Sequence, residues 1–338
     1  MKIDVLYQFN EKYAPYAGTS ITSLFESNRH LNEIRVFILG EGLLPESVRR
    51  LRETGKRYGR QIAFIDTSAL IGKMQAMNMP SYRGSYAANM RLFLAELLDS
   101  SVSRLLYLDA DTIVAGKLDA LIDLDMKECP IAMVQDSLVR RHKQRLGFAP
   151  EESYFNSGVI LFDMDRWKKE KCSERIAEHV KQVRAHYPSP DQDLLNVVCR
   201  GNIRVLPPKY NLQPIHLAFS VNSYLRCFGG RGYYHQDTVE HAKKHPVIYH
   251  FFRFVGEFPW NKNNVHPDND IFDCYLEKSC WKDYVKEPAE AGLVLKIEKV
   301  LYRILPRGLF IYLFRAAYEW FIYQANKDSL KQRIHKMM

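Results

Sequence analysis

Asp109 and Asp111 stand one residue apart, directly after the apolar run Leu105-Leu106-Tyr107-Leu108, which reads as a buried strand. Two carboxylates this close repel one another unless a cation or a shared proton neutralises them. Their hard oxygens suit Mg²⁺ or Mn²⁺, which commonly complete their shells with substrate phosphates. An Asp-x-Asp triplet is also an ordinary solvated turn, so other polar clusters must decide. Phe155-Asn156-Ser157-Gly158 precedes an apolar run and reads as a polar turn aimed at the same sheet edge. Pro190-Asp191-Gln192-Asp193 opens a helical pattern, so its side chains serve either as a cap or as site ligands. His250 follows Val247-Ile248-Tyr249. A histidine there is either a hydrogen-bonded surface group or a third metal ligand, and imidazole with two carboxylates suits Mn²⁺.

The elements that must position these groups alternate in type. Ile3 to Tyr7, Ile34 to Leu39 and Gln61 to Ile65 have strand character, while Tyr16 to Ser27 and Pro45 to Tyr58 carry apolar residues at helical spacing. This rhythm predicts a parallel sheet with helices on both faces. Met90 to Leu98 reads as a further helix; Arg104 to Leu108, Pro130 to Val134, Gly158 to Phe162 and Val247 to Tyr249 read as later strands. In an open sheet of this kind ligands bind outside the carboxyl ends of the strands, where Asp109 and Asp111 fall. Gly229-Gly230-Arg231-Gly232 follows no strand and opens no helix, so it is a loop and not a phosphate cradle.

The 338 residues are 46% hydrophobic and 26% charged, enough for one large buried core and outside the range of disordered, collagenous or coiled-coil chains. No two of the six cysteines have Cys-x-x-Cys spacing, which predicts free thiols in a reducing compartment. Asp4, Asn10, Glu11 and Lys12 interrupt any signal-peptide core, so cytoplasmic residence is expected. The net charge of +9 is uneven: residues 296–338 hold nine Lys and Arg against three Asp and Glu. A nucleic-acid binder would spread basic side chains over its folded domain. A basic, aromatic tail points instead to an anionic membrane surface, reached through a linker at Lys286 to Gly292. The run Gly308 to Ala325 carries Arg315 and Glu319 near its middle, each costing about 2.5–3.5 kcal/mol at a bilayer centre, so spanning is disfavoured. Lying in the interface suits it better. Leu309, Leu313, Ala317, Trp320, Phe321 and Gln324 share one face, and Arg303, Arg307, Lys327, Lys331, Arg333 and Lys336 can meet headgroups. The competing expectation is that this helix packs on the rest of the chain or on a second copy, making a homo-oligomer.

In order along the chain, Leu106-Tyr107-Leu108-Asp109-Ala110-Asp111, Phe155-Asn156-Ser157-Gly158-Val159, Pro190-Asp191-Gln192-Asp193-Leu194-Leu195-Asn196 and His250-Phe251 with Gly256 and Pro259-Trp260 resemble glycosyltransferase family 8. The resemblance implies an α/β GT-A fold, with a Rossmann-like, mostly parallel sheet in a catalytic domain at 1–282. The helical, amphipathic, basic segment at 283–338 resembles the membrane-attachment tail of bacterial members. It further implies a retaining, metal-dependent enzyme that moves galactose or glucose from a UDP-hexose to a glycan or lipid-linked acceptor. Lipopolysaccharide or other cell-surface polysaccharide synthesis, on the cytoplasmic face of the cell membrane and without nucleic acid, would be its setting.

By position in the family motifs, Asp109, Asp111 and His250 become ligands of Mn²⁺ or Mg²⁺. Arg91 contacts the donor sugar and the second aspartate. Asp136 and Asn156, with Ser157, line the sugar site; Asp191 and Gln192 flank the anomeric carbon. Gln8, Asn10 and Tyr13 lie toward the nucleoside, and Ala110 and Gly256 complete the donor contacts. Gln192 is a poor nucleophile and only Asp191 a credible one, which favours front-face attack with the leaving phosphate taking the acceptor proton. Two positions depart from the pattern. Asn10 stands where the family often has an aspartate, and Phe258 stands where it has a diphosphate-binding lysine, with Arg253 and Lys262 the cations nearby. A phosphohydrolase of the Asp-x-Asp-x-Thr type is the alternative enzyme, but Thr112 comes one residue early. A sugar-nucleotide binder without catalysis is the third reading.

Overall fold

The computed structural model describes residues 1–79, 86–137, 140–183, 187, 189–230, 232–290 and 292–320. Nine strands occur among them: β1 Lys2–Asn10, β2 Glu33–Glu41, β3 Gln61–Phe64, β4 Arg104–Asp109, β5 Thr112–Val114, β6 Ile131–Gln135, β7 Phe155–Asp163, β8 Ile203–Val205 and β9 Ile248–His250. Seven form one twisted sheet in the order β3-β2-β1-β4-β7-β6-β8, and β5 pairs with β9 in a small second sheet. The β3-β2-β1-β4 half is parallel throughout. β7 then runs antiparallel to both β4 and β6, and β8 is parallel to β6.

The two-residue period of a strand divides the core between the faces of the sheet. Leu106 and Leu108 of β4 join Val5, Tyr7, Val159 and Leu161 on one side. Leu105 and Tyr107 join Leu6, Ile160 and Phe162 on the other. Each such leucine, taken fully out of water, stabilises the fold by about 1.5–3 kcal/mol. Helix α1 (Ala14–Ser27) starts at Pro15 and crosses the first face; α2 (Pro45–Tyr58) ends on Gly59 in the left-handed conformation, which glycine adopts without strain. Further helices used below are α3 (Arg140–Arg145), α4 (Pro190–Val198), α5 (Val221–Cys227), α6 (Leu293–Ile304) and α7 (residues 307–320).

Three sequence expectations change. Phe155 to Gly158 is no turn but the first part of β7. Met90 to Leu98 is mostly a 3-10 segment, Ala87–Phe93, followed by a single α-turn, Leu94–Leu97. The Arg91 N–H donates to the Gln8 side chain at 2.9 Å, outside any helical ladder, which is one reason the regular helix does not form. Strands β5 and β8, three residues each, were too short to show a period. All six cysteines are free thiols, as expected.

The C-terminal helices pack on the preceding part of the chain by one side only. Tyr302, Phe310 and Ile311 are buried in a cluster with Phe219, Tyr224, Phe228 and Phe254. Phe310 stacks on Phe219 with ring centres 6.1 Å apart, and Lys299 Nζ bonds Glu257 Oε1 at 2.5 Å. The other side is apolar and exposed: Leu293, Val294, Ile297, Val300 and Ile304 on α6, then Leu309, Tyr312, Leu313 and Trp320 on α7. Among the described residues no helix is long and apolar enough to cross a membrane. Phe321, Gln324, Lys327, Lys331, Arg333 and Lys336 lie outside the described residues.

Candidate active site

The site begins where β4 ends. Tyr107 and Asp109 share one face of that strand, and Asp111 is the second residue of the two-residue turn into β5. Because β5 pairs antiparallel with β9, Thr112 lies opposite His250 and the imidazole comes up against both carboxylates. His250 Nε2 is 3.3 Å from Asp111 Oδ1 and 3.6 Å from Asp109 Oδ2. One donor atom from each of the three lies within 4.8 Å of the others.

The protons around His250 can be traced from a backbone amide, which only donates. Gly158 N–H donates to Asn156 Oδ1 at 3.0 Å, so that atom is the oxygen; it also accepts from Asn211 Nδ2 at 2.8 Å. Asn211 Oδ1 then faces His250 Nδ1 at 3.1 Å, and Nδ1–H donates. Nε2 is left as the basic nitrogen, aimed at the aspartates. Burial disfavours the imidazolium here, but the charges of Asp111 and Asp109 outweigh it and raise the His250 pKa. A dication between the three groups would satisfy all of them at once, and the donor set fits Mn²⁺ or Mg²⁺. Gly158 leaves the room this needs, since a Cβ there would stand 2.1 Å from the His250 ring.

Arg91 ties this cluster to the next. Its guanidinium lies 3.1 Å from Asp109 Oδ1 and 3.6 Å from Asp191 Oδ2, donates to Ser157 O at 2.7 Å and sits over the Tyr107 ring. Burial works against its charge, yet Tyr107, Asp109 and Asp191 together raise its pKa, so it stays a cation. Asp191 is itself raised, first by burial and then by Asp109, with Arg91 opposing. Gln192 donates to Asp136 Oδ2 at 3.2 Å and accepts from Ser157 N–H at 3.0 Å; Asn156 Nδ2 also reaches Asp136 Oδ2, at 3.0 Å. Asp136, Asn156, Ser157, Asp191 and Gln192 therefore form one continuous wall with Arg91 and Asp109.

Toward β1, Gln8 is joined to the cluster through the Arg91 amide. Asn10 Oδ1 is buried with no hydrogen-bond partner among the described residues, an open acceptor at the end of β1. Tyr13 packs edge-on to Tyr16 and Trp260. Ala110 is buried between the aspartates. Gly256 is placed differently: a Cβ there would lie 2.9 Å from Leu295 Cβ, so this glycine makes room for α6. Arg253 donates to Gly256 O at 3.2 Å and stays exposed. Sequence reasoning missed Tyr107, Tyr154 and Asn211 as parts of the site. Tyr107 was within reach, two positions before Asp109 on the same face; Asn211 carried no signal.

Known proteins resemble this chain in sequence and in fold. The profile of a family described as glycosyl transferase family 8 matches residues 4–264. General stress protein A of Bacillus subtilis (strain 168) is 27% identical over 280 residues, 80% of this chain and 92% of that protein. Lipopolysaccharide 1,2-glucosyltransferase of Escherichia coli (strain K12) is 26% identical over 300 residues, 88% and 83% of the two chains. The crystal structure of the galactosyltransferase LgtC with donor and acceptor sugar analogues superposes with a TM-score of 0.66 at 22% identity, covering 82% of this chain and 96% of that one.

Proposed function

The chain belongs to glycosyl transferase family 8, and on that premise we propose that it is a retaining hexosyltransferase carrying glucose or galactose from a UDP-sugar to a glycan or glycolipid acceptor. Its α/β sheet is the GT-A arrangement of LgtC. The names of its relatives suggest lipopolysaccharide or a similar cell-surface polysaccharide as the product. The observation that carries the reading is the joining of two sets of residues by one arginine. Asp109, Asp111 and His250 can hold a divalent ion, and Arg91 bridges Asp109 to Asp191 beside Gln192.

Mn²⁺ or Mg²⁺ at Asp109, Asp111 and His250 would supply the charge that makes a nucleoside diphosphate a good leaving group. The remaining roles belong to side chains. Asp136 and Asn156 present hydrogen-bonding groups to a sugar ring. Gln192 stands beside them with its carbonyl oxygen fixed by Ser157 N–H, suited to an oxocarbenium-like transition state rather than to nucleophilic attack. Asp191 is spoken for by Arg91 and Ser157 Oγ, which favours front-face attack over a covalent adduct. Asn10 offers its open acceptor to the nucleoside, with Gln8 and Tyr13 nearby.

We read residues 1–282 as the catalytic unit and 283–338 as a peripheral membrane-association segment on the inner face of the membrane. The exposed apolar stripe on α6 and α7, flanked by exposed Lys296, Arg303 and Arg307, supports an anionic lipid surface as its partner. A second copy of the chain would be the other occupant of that stripe.

Hydrolysis of UDP-glucose and UDP-galactose with Mn²⁺, followed by mass spectrometry, tests the reaction. Turnover of one of them, abolished by EDTA, is expected. Calorimetric binding without any turnover would support the non-catalytic reading, and turnover of p-nitrophenyl phosphate lost in Asp109→Asn would support the phosphohydrolase. A β-linked product from an α-donor, seen by NMR, would overturn retention.

A further inference from the structure

Behind Gln192 lies a row of side chains that sugar transfer as described leaves without a task. Gln192 Nε2 donates to Tyr154 Oη at 3.2 Å. The Tyr154 hydroxyl in turn donates to Asp193 Oδ1 at 2.5 Å, so it meets the glutamine as an acceptor. Asp193 has no exposed surface and holds two further partners, Ser189 N–H at 3.1 Å on Oδ2 and His142 Nε2 at 2.6 Å on Oδ1. The Ser189 bond alone would serve the start of α4. Tyr154 and His142 add something else, because they arrive from separate elements: the residue leading into β7, and α3. Burial, and then the Asp193 charge, hold the Tyr154 phenol well above its usual pKa, so it keeps the proton it donates.

We infer that His142, Asp193 and Tyr154 form a positioning relay that sets the orientation of the Gln192 amide. The direction of every bond agrees. Asp193 can only accept as a carboxylate, Tyr154 therefore donates to it, and the free lone pair of Tyr154 selects the NH₂ end of Gln192. Ser157 N–H selects the oxygen end from the opposite side. The amide is thus held at both ends, its NH₂ by Tyr154 together with Asp136 and its oxygen by Ser157 N–H, and a flip would lose all three bonds. Asp193 acts through this chain and not as a nucleophile, since both its oxygens are occupied and buried. The inference rests on Gln192 standing beside the reacting sugar only for its catalytic consequence, not for the relay itself.

Two measurements on the full-length protein separate these. In protein labelled with ¹⁵N-glutamine, the Gln192 side-chain NH₂ signal is assigned by its loss in Gln192→Ala. Tyr154→Phe and Asp193→Asn should each move that signal, and His142→Ala should move it less, with His142→Gln restoring it through the amide donor. In hydrolysis of UDP-glucose and UDP-galactose with Mn²⁺, Tyr154→Phe should lower kcat about tenfold or more while KM changes less than about twofold. The double variant Tyr154→Phe/Asp193→Asn should be no worse than the more damaged single one, because both cut the same chain. A Gln192 signal unmoved in a folded Tyr154→Phe protein overturns the relay. So does an Asp193→Asn protein that loses all turnover while Tyr154→Phe keeps the wild-type kcat. A wild-type protein that hydrolyses neither UDP-sugar overturns the transferase reading instead, and the NMR signal still decides the relay.

Discussion

The two halves of the large sheet place their chemistry by different means. In the parallel half, β3-β2-β1-β4, strand register alone delivers Asp109 to the carboxyl edge, and Gln8 of β1 lies directly beside it in the pairing. In the half built on β7, β6 and β8, position depends on bonds made by side chains: Asn156 to Asp136 and Asn211, Gln192 to the Ser157 N–H and to Tyr154. A backbone ladder tolerates many substitutions, whereas a polar network is lost when one member goes. Arg91 and Gly158 are where the two halves meet.

The largest effect should come from the register-placed half. Asp109→Asn or Asp111→Asn should lower Mn²⁺-dependent turnover beyond the ~10–100-fold that loss of an outer-shell partner costs, with far-UV circular dichroism unchanged. EDTA should do the same to the wild type and Mn²⁺ should reverse it. Full activity in metal-free buffer would remove the metal from the comparison altogether. Gly158→Ala probes the junction. With a Cβ 2.1 Å from the His250 ring, the imidazole must move, and Mn²⁺ affinity by calorimetry should drop ~10–100-fold, with about 1–3 kcal/mol of stability lost to overpacking. Gln192→Ala tests the network-placed half. Its kcat should fall about tenfold or more with a smaller change in KM, and an unchanged kcat with a lower Tm would make Gln192 a helix-end residue only.

The network-placed half also carries the C-terminal helices, and they extend the contrast. Deleting residues 296–338 would uncover Phe219, Phe228 and Phe254 and so confuse membrane loss with unfolding. Ile297→Glu and Leu313→Glu alter only exposed positions. Each should weaken co-sedimentation with anionic vesicles by about tenfold while donor hydrolysis stays as in the wild type. Equal binding by both variants would leave the tail as packing. The smallest effect concerns His216, which lies beneath this cluster against Tyr233. Burial, helped by the Lys243 charge, lowers its pKa to about 3. An unfolded chain takes up that proton near pH ~6.5, so His216 makes the fold less stable as pH falls from there toward its folded value. His216→Gln should therefore lose less Tm than the wild type between pH 7.5 and 5, read by thermal melts.

What could be read in advance follows the same division. Asp109 and Asp111 were legible because an apolar run must be a strand and must end somewhere. His250 was legible as a strand end, although its partner strand β5 was not. Arg91 and Asp136 came forward only through family resemblance, since nothing local distinguishes them from other charged residues. The relay residues were silent for a physical reason. Tyr154 and His142 meet Asp193 across 39 and 51 positions of chain, and no periodicity encodes a side-chain contact of that span. Phe155 to Gly158 was misread because Asn and Ser suggest turns. Here their side chains turn into the cleft from a strand that is buried from Phe155 to Phe162.

The one-sided packing of α6 and α7 has a consequence for reach. Lys299 on Glu257 and Phe310 on Phe219 clamp the pair to the loop after His250 and to the segment leading into α5. The outer stripe therefore keeps a set angle and a set height relative to Asp136 and Gln192. Resting on a membrane, such a body would work as a depth gauge. An acceptor hydroxyl would be glycosylated when its glycan stem lifts it to the height of the cleft, and passed over when the stem is shorter or longer, before any recognition of the sugar itself.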